Sequence, residues 1–327
     1  MNIYEISEKA GVSIATVSRV LNNNPNVNEK TRQKIQALIA EHKYEPTKPG
    51  KKHRPKKTIG ILCNSISNPR SSEIIENILT NLHTMNFDTI IVNCTDLNEK
   101  RIALQHFNDL NVTAIIIDGT DFLSYDASDN SYILQVANEK PIILLNSYLE
   151  HKNIYSFLCN EGETIFNITE NFIKQGKNNI IFLFSSMSAY CTPLVDAFSQ
   201  AHYVHNIETS PEQIHLCSHD FNISYEYINS LLNSSKTIDA VIATDDVMAL
   251  GAIKAIKEHQ LLVQNDVEVI GLGNTILADI SDLTSINCQC KDISVSVVKT
   301  ISNIYNNEKT PSRIIFPAEV IKRGTSK

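Results

Sequence analysis

Two kinds of apolar patterning divide the chain. Over residues 3–21, IYEISEKAGVSIATVSRVL, apolar side chains at Ile6, Ala10, Val12, Val17, Val20 and Leu21 predict two short helices packed across a sharp turn. Ala10 is small enough for close helix approach, and Gly11 suits a left-handed helix end. Ser13 can cap the second helix by accepting from its free N–H groups. A third helix is predicted after Asn28, its cap, with Ile35, Leu38 and Ile39 on the buried face. From residue 58 the pattern changes. Ile- and Val-rich runs predict strands at Thr58–Cys63, Asp88–Asn93, Ala114–Asp118, Pro141–Asn146, Asn179–Phe184, Ala240–Ala243 and Val267–Gly271. They are apolar at nearly every position, as strands covered on both faces must be. Helix-length stretches lie between them, among them Ser71–Met85, Glu99–Leu110, Glu163–Gln175 and Asp246–His259. This alternation predicts two α/β subdomains with doubly wound parallel sheets, whose ligands bind at the carboxyl ends of the strands.

The 327 residues suit about two domains, and 42% hydrophobic with 20% charged content is that of a globular chain. No apolar run exceeds seven residues, against the ~20 of a spanning helix. The start, MNIYEISEKA, carries two glutamates and no apolar signal region, so a cytoplasmic protein with no membrane partner is expected. The seven cysteines are scattered except for Cys288 and Cys290. A C-x-C pair alone makes a weak metal site, and buried reduced thiols are the plainer reading. No metal and no cofactor is expected.

Charge is uneven. Residues 1–57 hold twelve Lys/Arg against five Asp/Glu, and the remainder seventeen against thirty-one. A basic head on an acidic body points the head at a polyanion. In a helix-turn-helix the start of the second helix enters the major groove. Ile14, Ala15, Ser18 and Arg19 would then face outward, with Arg19 able to bond a guanine edge and Ile14 and Ala15 limited to apolar contact. The spacing alone also admits an ordinary helical hairpin.

The run AGVSIATVSRVLN (Ala10–Asn22), with Val27, Thr31, Arg32 and Tyr44-x-Pro46, resembles the head of the LacI/GalR family of transcriptional regulators. So do Thr58-Ile-Gly-Ile-Leu, Ala243-Thr-Asp-Asp-Val-Met-Ala-Leu-Gly251, and Val269-Ile-Gly271 followed by Leu283-Thr-Ser-Ile286. The resemblance implies a homodimer binding double-stranded operator DNA. It implies contacts by Ser13, Ile14, Ala15, Thr16, Ser18, Arg19 and Asn22 of a helix-turn-helix domain at 1–46. It also implies a periplasmic-binding-protein-like core at 58–327, crossed three times by the chain. One lobe would take about 58–158 and 288–310, the other about 159–287 and 311–327, with a small-molecule effector between them.

The pattern is broken in two places. The linker 47–57, TKPGKKHRPKK, has six Lys/Arg and carries His53 where the family usually has a wedging leucine on a hinge helix. Pro49, Gly50 and Pro55 leave no room for a stable helix, so Lys51, Lys52 and Arg54 are expected on phosphates, unless the segment is only a solvated tether. In the cleft, Leu194 stands where an arginine commonly grips sugar hydroxyls, and Gly273 where an acidic residue does. Asn64, Ser67 and Arg70 follow the first core strand, with Arg70 a candidate anion holder. Asn146 ends a strand at a common contact position. Of Asp245 and Asp246, one acid faces the ligand, or Asp246 caps the next helix. Gly273, Asn274 and Thr275 resemble regulators of the trehalose- and sucrose-repressor type, which sense phosphorylated disaccharides.

No G-x-S-x-G, P-loop, H-E-x-x-H or C-x-x-C occurs, so an enzyme is not expected. The expected function is a repressor of carbohydrate-related genes under a sugar or sugar phosphate. The alternative is a core driven by a partner protein, as in the catabolite-control branch, whose M-A-T the triplet Ile14-Ala15-Thr16 resembles.

Overall fold

The computed structural model describes residues 3–21, 24, 27–42, 57–120 and 122–327. They fall into two units, within residues 1–56 and 57–327. In the first unit α1 (Ile3–Ala10), α2 (Ile14–Leu21) and α3 (Glu29–Glu41) bury Ile6, Ala10, Val17, Val20 and Ile35 together. Leu38 and Ile39, expected on the buried face, are only partly covered. Gly11 adopts φ +68°, and the turn closes with Gly11 N–H to Glu8 O (3.1 Å) and Val12 N–H to Ser7 O (3.0 Å). That paired bonding is the Schellman end that glycine permits. Asn28 caps α3 by accepting from Lys30 N–H at 2.9 Å.

The second unit holds two lobes. The first contains β1 (Lys57–Cys63), α4 (Pro69–Thr84), β2 (Phe87–Asn93), α5 (Leu97–Asp109), β3 (Ala114–Asp118), α6 (Ser131–Ala137), β4 (Ile142–Leu145) and β5 (Ile154–Cys159). The second contains α7 (Glu161–Lys174), β6 (Ile180–Phe184), α8 (Thr192–Tyr203), β7 (Ile214–Leu216), α9 (Phe221–Asn233), β8 (Ala240–Ala243), α10 (Asp246–Glu258), β9 (Glu268–Leu272), α11 (Ile276–Ile280) and β10 (Thr284–Asn287). The chain then returns to the first lobe as α12 (Cys290–Tyr305), which packs on α4, and β11 (Arg313–Phe316). It ends in the second as β12 (Glu319–Ile321).

The sheet orders are β11-β5-β4-β3-β1-β2 and β12-β10-β9-β8-β6-β7. All pairings are parallel except that of β12 with β10. The expected lobe boundary at 311 is corrected: β11 pairs with β5, so 313–316 belongs to the first lobe, and the third crossing follows Phe316. β3, β4, β6, β8 and β9 are buried at every position, since helices cover both faces. Gly251 lets α10 approach α9, because a Cβ there would meet Ser224 Oγ at 2.0 Å. No helix among the described residues is long and apolar enough to cross a membrane.

Candidate functional site

On α2 the buried and open faces separate cleanly. Val17 and Val20 face the head core, while Ile14, Ala15 and Arg19 are exposed and Thr16 and Ser18 half-exposed. Ser13 starts the helix, its Oγ accepting from Thr16 N–H at 3.2 Å and lying 2.9 Å from Thr16 Oγ1. The exposed start of a capped helix carries an arginine fork and two short apolar side chains, the groups that read base edges. Asn22, Lys51, Lys52 and Arg54 lie outside the described residues, as do His53 and the prolines beside it. Lys57, the last of the linker run, is part of β1, its ammonium 2.7 Å from the Tyr305 ring centroid.

In the second unit the carboxyl ends of both sheets face one cleft. Asn68 caps α4 and Pro69 opens it, so Arg70 sits on the helix's first turn, not in a loop. The residue is only 7% exposed. One guanidinium nitrogen donates to Asn146 Oδ1 (3.0 Å) and to Glu161 Oε1 (2.7 Å), and the other to the Tyr190 hydroxyl. Tyr190 in turn donates to Glu161 Oε1 at 3.3 Å. Burial opposes the guanidinium's charge, but Cys288, Tyr190 and Glu161 around it outweigh that and hold its pKa above the ordinary arginine range. The expected open anion holder is thus already neutralised by the chain's own carboxylate.

The acid pair divides its work. Asp245, not Asp246, caps α10, accepting from Met248 N–H at 2.7 Å. It also accepts from His219 Nδ1, which lies 3.3 Å from Asn68 Nδ2 of the other lobe. Asp246 is buried, and its oxygens accept from Thr275 N–H and Oγ1 (both 2.8 Å) and Ser285 Oγ (2.6 Å). Burial pushes its carboxyl above the usual range while those hydroxyls and the amide pull it down. The cap reading of Asp246 gives way: its oxygens bolt α10 to the loop after β9.

Asn274 is held by Arg323 at 2.8 Å, and Gly273 turns at φ +125°. Asn64 is half-buried and Ser67 exposed. Leu194 is buried against the second lobe's core and lines a cavity of about 340 Å³ between the lobes. Asn146, Ser147, Tyr148, Glu161 and Tyr190 line it too.

Of the predicted cleft residues, Asn146 and Leu194 line this cavity, and Arg70 lies behind its wall, bonded to Asn146, Glu161 and Tyr190. Asn274 lines a separate cavity at the lobe edge, with Glu73, Glu76 and Arg323. Glu161 and Tyr190 were not foreseen. β5 was not predicted, and without its end at Cys159 nothing marked Glu161 as a residue at a sheet's carboxyl edge. Burial pushes the thiols of Cys63, Cys159 and Cys217 up to about 12, so they stay protonated.

Residues 2–47 match the lacI family of bacterial regulatory proteins, and 169–326 the periplasmic binding protein-like domain. An HTH-type transcriptional regulator of Lachnoclostridium phytofermentans is 33% identical, the match spanning 100% of this chain and 99% of that one. Catabolite control protein A of Priestia megaterium is 27% identical over 100% and 99%. Among solved structures, the Lac repressor dimer bound to operator and the anti-inducer ONPF has a TM-score of 0.77 at 22% identity, over 99% of this chain and 98% of that one. With an exposed recognition helix, a two-lobed core and full-length relatives of this kind, the chain belongs to the LacI family of DNA-binding transcriptional regulators.

Proposed function

We propose that this regulator is a cytoplasmic repressor of carbohydrate-related genes that binds its operator as a homodimer and answers to a small molecule held between its lobes. The observation that carries the DNA half is the capped, outward face of α2, with Arg19 exposed beside Ile14 and Ala15. Two such helices in a dimer would read half-sites about one helical turn apart. The lobe cavity supports the effector half, because its walls come from both lobes and a molecule there has different contacts in open and closed arrangements. A cavity of about 340 Å³ walled by both lobes is of a size for a small molecule, which favours that signal over a partner protein.

Footprinting on upstream regions of carbohydrate genes, followed by a screen of sugars for release of the full-length protein, tests the reading. A protected two-fold symmetric site released by one sugar is the expected result. Binding without sequence preference would refute it.

A further inference from the structure

Arg70 starts in the first lobe and ends among residues of the second. Its carboxylate partner, Glu161, opens α7 just after the first crossing, and Cys288 and Cys290 of the second crossing lie beside the guanidinium. The pair is 2.7 Å apart, with side chains 8% and 4% exposed. No other ion pair between described residues joins the lobes. The surrounding inter-lobe bonds are weaker kinds: Ser188 Oγ donates to Thr120 O (2.8 Å), and Ala189 N–H to Leu123 O (3.1 Å).

A molecule that closes a two-lobed cleft does so by bonding both sides, and here two side chains do that. Opening would return both charges to water, whereas removing one alone leaves the other buried and unpaired. The same arithmetic governs anions. An anion reaching Arg70 must displace Glu161 and leave a buried carboxylate without its cation. The adjoining cavity is lined by one charged residue, Glu161, whose charge Arg70 already balances.

We propose that Arg70 and Glu161 act as an internal bridging ligand: the pair holds the lobes together without a bound molecule, and it reserves Arg70 from anions, leaving the cavity to uncharged polar ligands. The ligand class rests on the effector reading above and speaks against the phosphorylated sugar suggested by residues 273–275. The latch itself stands on geometry alone.

The full-length protein and Glu161→Gln are compared by small-angle scattering with no ligand, and by thermal melts in phosphate against chloride of equal ionic strength. The variant should scatter as a more open particle. Phosphate should raise its melting temperature while leaving that of the parent unchanged, because Arg70 is then free. Glu161→Asp, which keeps the charge but shortens its reach, should fall between, and it serves if the glutamine variant does not fold. Equal scattering from folded parent and variants, or equal stabilisation of all by phosphate, would overturn the proposal. Operator affinity is read alongside, with a change of about tenfold expected for a coupled site. Changed scattering with unchanged affinity would count against the regulatory reading and leave the latch standing.

Discussion

Arg19 and Arg70 show what an arginine becomes in two settings. Arg19 stands exposed on a helix whose start, turn and packing are set by neighbours within about ten residues: Gly11, Ser13, Val17 and Val20. Arg70 is buried, and its carboxylate lies 91 residues away in another lobe. The first charge is left exposed and the second is balanced inside. A nearby run of residues decides the former; only the assembled fold decides the latter.

The largest effect should come from breaking the inner pair. Glu161→Ala leaves a buried guanidinium without its charge partner and should destabilise the core by about 3–5 kcal/mol. Replacing both partners with apolar residues, Arg70→Met with Glu161→Leu, should restore most of that, because the desolvation penalty goes with the charges. Urea unfolding of the three proteins measures both. A single variant as stable as the parent would mean that Arg70 is not the closed charge the geometry describes. The outer arginine should behave in the opposite way. Arg19→Ala should leave stability within about 0.5 kcal/mol but remove about 1–3 kcal/mol of discrimination between operator and mismatched DNA. An unchanged ratio of specific to non-specific affinity would remove Arg19 from base reading.

The same contrast explains how far the sequence could be read. The turn and caps of the head were legible to the residue, since Gly11, Ser13 and Asn28 act on bonds within five positions of themselves. The central strands were legible because burial on both faces makes them wholly apolar. Of the edge strands, β2 was legible and β7, β11 and β12 were not, nor was the inner β5. β7 is three residues, IHL, and β11, RIIF, alternates exposed and half-buried positions, so neither stands out as a strand without its neighbour. In the cleft, the polar residues at Asn146, Asp245 and Asp246 could be named in advance, but their partners could not. Asp246 took Thr275 and Ser285 from 29 and 39 residues away, which is why a cap predicted from adjacency failed there and fell on Asp245. Ser13 is the local case to test. Ser13→Ala removes the side-chain acceptor for Thr16 N–H, leaving it the Ser13 carbonyl at 2.9 Å, and should cost the head about 0.5–1 kcal/mol, seen as a lower melting temperature. Core unfolding should not change.

Lys57 sharpens the comparison most finely, because it belongs to a run of like charges yet has left it. By sequence it is the last of six basic residues between 47 and 57, all suited to phosphate. In the fold it begins β1, half-buried, its ammonium 2.7 Å from the Tyr305 ring centroid and 5.6 Å from that of Phe87. An ammonium over aromatic faces contributes about 0.5–1 kcal/mol at such partly exposed sites. Lys57→Gln should therefore lower core stability by that amount and leave the salt dependence of operator binding unchanged. Lys51→Gln and Lys52→Gln should do the reverse. Each should flatten the log–log salt slope by about 0.9 if its charge neutralises a phosphate, with no shift in core melting and little change in sequence preference. If all three variants move the salt slope alike, Lys57 acts with the linker and not with the core.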